Sequence, residues 1–350
     1  MPSKVAKPVQ PPAPVVVTGA NGFIAQHCVA ELLANGYRVV GTVRTESKAE
    51  EVRRLHGDGL IVVVVPDITD SVALTATLAE HEPAAVLHLA GPFHYQADDF
   101  ERDLMRPAVG GAVAVLEAAA GLPTVQRVVY TSSFAGIYDA SAGPRPGKTY
   151  SARDWSPLTY GDGARAQDAP TAYRASKTVA ERAAWAFIDA RRPAFDLVSL
   201  CPAMVFGPLL SPPASVADLN TSNGVVWSVL SAGRSRPVPP TRGPVWVDVR
   251  DVARAHLRAL QVPEAAGRRF LLAAGVYCNQ ELADVGRRLC CRSKDADRIP
   301  LGRPGQRESD RHFAVDASDA ESVLGLRFRA LENCLVDLVP QLFDIEHAAI

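Results

Sequence analysis

Short apolar runs and longer stretches of helical period alternate along this chain from residue 14 onward. Val15-Val16-Val17 reads as a short buried strand. Residues 22–34 carry a helical pattern that closes at Asn35-Gly36, and Arg38 to Val43 is a second apolar run. The alternation continues with helix at 46–56, strand at 60–65, helix at 71–80, strand at 85–89, a long helix at 99–120 and strand at 127–131. Strands that are apolar on both faces and separated by helices predict a parallel sheet covered on both sides. The pattern breaks between Asp139 and Pro170, where Gly, Pro, Ser and Asp dominate, and again between Pro202 and Asn223. Unpatterned stretches of that length are usually functional, and both are expected to wall a substrate cleft. Helix at 171–190 and strand at 196–200 separate them. Beyond them the pattern gives helix at 225–230, strand at 245–247, helix at 250–260, strand at 269–274 and C-terminal helices.

This predicts an α/β protein: a Rossmann-type, doubly wound parallel sheet with a smaller, discontinuous C-terminal substrate lobe. Residues 1–13 are expected to be a flexible Pro-rich arm. Residues 14–202 with about 245–275 would form the dinucleotide-binding domain, and about 203–244 with 276–350 the lobe.

Composition adds mainly exclusions. With 47% hydrophobic and 21% charged residues and a formal net charge of −1, the chain has no basic excess for nucleic acid. Its longest strand-like run stops at Pro66, far short of a membrane span. Six cysteines show no Cys-x-x-Cys spacing and the histidines are scattered, so no metal site is expected. Reduced thiols and the lack of an apolar leader favour the cytoplasm.

Three local patterns carry chemistry. Thr18-Gly19-Ala20-Asn21-Gly22-Phe23-Ile24-Ala25 opens the first helix. Gly19 permits a tight turn off the strand, Gly22 lets a phosphate approach the helix N-terminus, and Ala25 allows helix and strand to pack closely. At the end of the second strand stands Arg44, with Lys48 one turn later, where a binder of non-phosphorylated NAD usually has Asp or Glu. Two cations there suit a ribose 2′-phosphate, so NADPH/NADP is the expected cofactor. Asp67-Ile68, after the third strand, is placed to meet the adenine. Finally, Tyr173 and Lys177 are four residues apart on a helix and so share a face. A free Tyr titrates near ~10. A cation within about 4 to 6 Å can lower that value by roughly 1 to 3, which suits reversible proton transfer with a bound molecule.

Together with His88-Leu89-Ala90-Gly91-Pro92-Phe93, Thr131-Ser132-Ser133, Pro202-x-x-Val205-Phe206-Gly207-Pro208, Asn220-Thr221-Ser222 and Val247-Asp248-Val249-Arg250-Asp251-Val252-Ala253, these motifs make the chain resemble the extended short-chain dehydrogenases/reductases. Within them it is similar to the branch of dihydroflavonol, methylglyoxal and fungal aldehyde and ketone reductases. The resemblance runs nearly end to end. It implies a catalytic set of Ser133, Tyr173 and Lys177, with Lys177 also on the nicotinamide ribose. It further implies cofactor contacts from Gly19 to Ile24, Arg44, Lys48, Asp67, Ile68, Tyr173, Lys177, Val205 and Ser222. Gly91 stands where relatives commonly have Ser, and Cys201 precedes Pro202 where Asn is frequent; Cys201 is read as a small buried residue.

The expected reaction is NADPH-dependent reduction of a ketone or aldehyde to an alcohol, on a bulky or aromatic small molecule. Phe93, Phe134, Tyr138, Trp155 and Met204, with Trp227 further off, are the expected pocket wall, and no Arg or Lys cluster is expected in it. A monomer or homodimer is expected, without nucleic-acid or membrane partners. The alternatives are an epimerase or dehydratase of nucleotide sugars and a non-catalytic NADP-binding sensor.

Overall fold

A computed structural model of the chain describes residues 7–91, 97–307 and 312–348. Its centre is a seven-stranded sheet made of β1 (Pro14–Thr18), β2 (Arg38–Val43), β3 (Leu60–Val64), β4 (Ala85–His88), β5 (Arg127–Thr131), β7 (Asp196–Pro202) and β10 (Arg269–Leu272). The spatial order is β10-β7-β5-β4-β1-β2-β3 with every pairing parallel. This is the doubly wound Rossmann arrangement. Its strand order reverses between β1 and β4, and in such sheets ligands bind beyond the strand C-termini at that reversal.

One face of the sheet is covered by α1 (Phe23–Ala34), α8 (Val249–Gln261) and the short α10 (Ser318–Leu324), packed through Leu32, Val252, Leu260 and Leu324. The other is covered by α3 (Ser71–Ala79), α4 (Arg106–Ala120) and α6 (Ala169–Arg191), packed through Leu74, Leu116 and Ala184. α2 (Glu46–His56) flanks β3 at the sheet edge. A third apolar cluster joins α7 (Thr221–Leu230), α9 (Asn279–Leu289) and α11 (Leu331–Ala348) to a small sheet of β8 (Met204–Phe206), β9 (Val245–Asp248) and β11 (Gly275–Val276). A fourth cluster, around Phe134, Ile137, Tyr150 and Phe313, sits between the large sheet and the lobe.

Several boundaries differ from expectation. Strand β9 pairs with β8 and β11 and not with the large sheet, although α8 directly after it returns to pack on α1. Conversely α10 packs on α8 and β10, so part of the C-terminal region belongs with the Rossmann core. Residues 7–13 are not a free arm: Val9 is buried, its N–H donates to Leu260 O at 2.9 Å, and Tyr37 Oη donates to Val9 O at 2.9 Å. The expected helix over 99–120 begins as a π turn at Glu101–Met105. Pro107, just inside α4, has no N–H to continue the ordinary ladder. The stretch 139–170 contains β6 (Thr149–Ser151), paired with β12 (Ala314–Asp316), and the short helix α5 (Tyr160–Ala164).

Candidate active site

The turn after β1 requires glycine. Gly19 has φ +67°, and a Cβ there would stand 3.0 Å from Ala90 Cα. Gly22 caps α1 without a side chain, and no acidic residue occupies the first turn. The first N–H groups of that helix therefore face the cleft uncapped, as a diphosphate needs. Ala20 is buried, and Gly41 on β2 lets it sit there, since a Cβ at 41 would be 2.8 Å from that of Ala20. Asn21 is half-buried, its carbonyl accepting from Gln26 Nε2.

A cleft of about 800 Å³ opens over this turn. Gly19, Gly22, Phe23 and Ile24 line one end, Val205 and Ser222 lie along it, and Ser133, Tyr173 and Lys177 line the same cavity. Their supports explain the arrangement. Ser133 follows β5 and caps a 3-10 turn, Oγ accepting from Ala135 N at 3.1 Å. Tyr173 and Lys177 stand on α6, the Lys177 ammonium 5.7 Å from the Tyr173 ring centre. Burial pushes the Lys177 amine down to about 8. Behind it His88 is buried, shares a 2.9 Å hydrogen bond with Thr18 Oγ1, and is pushed down to about 3 by burial and then by the Lys177 charge. A Cβ at Gly91 would lie 3.4 Å from Lys177 Nζ, so the missing serine side chain would have faced the ammonium.

The adenosine end is more open. Arg44 and Lys48 are both exposed, Lys48 Nζ lying 2.9 Å from Glu51. The Asp67 carboxylate accepts from Thr69 N and Oγ1, which holds its pKa below the usual value. Ile68 packs toward Gly111 of α4.

The expected pocket wall is only partly assembled. Phe134 and Tyr138 are stacked at 5.0 Å, lean on Phe313, and line the cleft with Met204. Trp155 is not part of it. The Arg269 guanidinium lies 3.7 Å from its ring centre and that of Arg182 5.1 Å, so two cations hold the indole outside the cleft lining. Trp227 packs on Phe343 inside the lobe. Phe93 lies outside the described residues. Cys201 is buried with Sγ 3.7 Å from both Glu181 oxygens, and burial raises the thiol to about 12, so it is no nucleophile.

Sequence reasoning missed the cleft's basic side chains. Arg174, Arg242 and His312 line it with Lys177, and no Asp or Glu does among the described residues. Arg174 follows Tyr173 directly and was legible; Arg242 and His312 are brought in from the lobe, which no local pattern signals.

The profile of the NAD dependent epimerase/dehydratase family matches residues 15–273. The chain belongs to this family. It is 36% identical over 337 residues to ketoreductase azaE of Aspergillus niger, covering 94% of this chain and 97% of that protein. With the NADPH-dependent methylglyoxal reductase GRE2 of Saccharomyces cerevisiae it shares 34% over 346 residues, or 95% and 98% of the two chains. The structure of yeast methylglyoxal/isovaleraldehyde reductase Gre2 complexed with NADPH superposes with a TM-score of 0.87 at 32% identity, over 96% of this chain and 100% of that one. A UDP-glucose 4-epimerase from Thermotoga maritima has the same fold at 20% identity and a TM-score of 0.67. Within the family this extended short-chain dehydrogenase/reductase lies in the reductase branch.

Proposed function

We propose that this protein is an NADPH-dependent carbonyl reductase that converts a ketone or aldehyde to an alcohol. The observation that carries this reading is the single cleft into which α6, the loop after β5 and the Gly19 turn all open. The uncapped start of α1 suits the diphosphate of the cofactor, and Arg44, beyond β2, offers a fork for a 2′-phosphate. NADPH, when bound, supplies the hydride.

The chain's own residues do the rest. Ser133 Oγ donates to the substrate carbonyl oxygen and fixes it beside Tyr173. Tyr173 Oη gives its proton to that oxygen as negative charge grows there. Lys177 keeps a positive charge on the same helix face, which favours the phenolate left behind. These donors act most strongly on charge present only in the transition state, where one such contact is worth about 3 kcal/mol. Val205, Ser222, Asp67 and Ile68 complete the cofactor groove, with Lys48 as a second charge near the 2′-phosphate.

The wall of Phe134, Tyr138, Met204 and Phe313 suits an apolar or aromatic substrate, and Arg174, Arg242 and His312 suit one that also carries an acidic group. We place the reaction in the cytoplasm, in a monomer or homodimer; the six cysteines are unbridged. No helix among the described residues is long and apolar enough to cross a membrane.

The test is a carbonyl panel followed by loss of reduced-nicotinamide absorbance, with NADPH and NADH in parallel. Tyr173→Phe should bind NADPH normally and lose turnover by about 100-fold or more. Near-normal turnover would reject the acid assignment, and a preference for NADH would reject the role of Arg44.

A further inference from the structure

Tyr173, Lys177 and Glu181 form one stripe of α6 at spacings of four residues, and the third member has no access to the cleft. Glu181 is fully buried. Its two oxygens take hydrogen bonds from Ser132 Oγ at 2.6 Å, Ser199 Oγ at 2.5 Å, and Arg269 through Nε at 2.7 Å and a terminal nitrogen at 2.9 Å. Arg269 reaches on to three carbonyls of the segment after β5: Gly136 at 3.2 Å, Ala152 at 2.9 Å and Asp154 at 2.5 Å. The turn carrying Ser133 rests on this pair, since a Cβ at Gly136 would lie 3.5 Å from a Glu181 oxygen and 3.7 Å from both Arg269 and Ser132 Oγ.

Two adjacent serines follow β5, and the ion pair separates their fates. The hydroxyl of Ser132, buried, is committed to the carboxylate; that of Ser133, half-buried, meets only the Ala135 N–H among the described residues and can donate into the cleft. We propose that Glu181 and Arg269 are positioning residues for the reduction: they withhold Ser132 and fix the distance between the Ser133 turn and the helix that carries Tyr173 and Lys177. This rests on the reductase reading above. A buried carboxylate and guanidinium satisfied by five further groups form a rigid bolt, and a reacting geometry displaced by about 1 Å can cost about 100-fold in rate.

Ser132 and Ser199 permit a matched test, because each removes one bond to the same carboxylate, one from the loop side and one from the strand side. Ser132→Ala should lower kcat by about 10-fold with the NADPH dissociation constant changed less than about two-fold, and Ser132→Thr, which keeps the hydroxyl, should recover most of it. Ser199→Ala should change kcat less than about two-fold. Glu181→Gln should reproduce the Ser132→Ala loss, and combining the two should add little, since both act through one contact. Equal losses in the two serine variants, or no loss in either, overturn the proposal even if Glu181→Gln fails to fold. Ser133→Ala separates the two readings. If it lowers kcat by about 100-fold while Ser132→Ala does nothing, only the positioning role is lost; if Ser133→Ala is itself silent, the reductase assignment of the serine fails.

Discussion

Lys177 shows how little of a side chain's chemistry lies in its identity alone. Its spacing from Tyr173 is readable in the sequence, but its titration is not, because burial under Gly91 and beside His88 is a tertiary fact. Burial lowers the amine to about 8, so the ammonium is fully present only below that pH. The kcat/KM for carbonyl reduction should therefore fall as pH rises through about 8, and the inflection should vanish in Lys177→Arg, which stays charged, whatever its absolute rate. A flat profile for the wild-type enzyme between pH 7 and 9 would contradict this. The same limit explains the errors about aromatic residues. Trp155 lies in a Pro-rich stretch that looks like a cleft wall, yet its partners, Arg182 and Arg269, are 27 and 114 residues away. Local pattern could not show that two cations would hold it.

At the scale of elements, the strands and helices of the Rossmann core were legible because each follows one period: β2, β5 and α2 occupy the expected residues. The short pieces were not. Strands β6, β8, β11 and β12 have two or three residues each and owe their existence to partners, β6 to β12 more than 160 residues on. Charged groups inside a strand are a related case. Arg127 opens β5 yet is fully buried, pairs with Asp196 of β7 at 2.5 Å, and donates to Ala259 O, Leu260 O and Val262 O. It thereby satisfies the last carbonyls of α8 and joins three elements. Arg127→Met should destabilise the protein by about 3 kcal/mol, read as a lower urea midpoint with unchanged slope, because Asp196 and the helix end both lose their partner. A loss below about 1 kcal/mol would show the helix end to be satisfied otherwise.

For the whole molecule, the parallel, doubly wound sheet followed from alternation of helix and strand, but the strand order and the division into core and lobe did not, because they depend on which neighbour each strand joins. The stability of the Rossmann core is linked to pH through buried neutral histidines. His88 is held down to about 3 and His256 to about 4 by burial, the latter bonded to Thr131 Oγ1 at 2.7 Å. Unfolded, each binds a proton near ~6.5, so below that value the unfolded chain takes up more protons than the native one and stability falls as pH drops toward 4. The denaturant midpoint should decrease steadily from pH 7 to pH 4.5, and His256→Gln should flatten that slope. A pH-independent midpoint would mean these rings are protonated in the native state.

The chain leaves the seven-stranded sheet after β7, returns with α8 and β10, leaves again, returns with α10 and departs finally into α11. No single scission can part the two bodies. A chimera that borrows the substrate half of a relative must therefore graft three separate stretches at once, and one crossover point would leave hybrid cores on both sides of the junction.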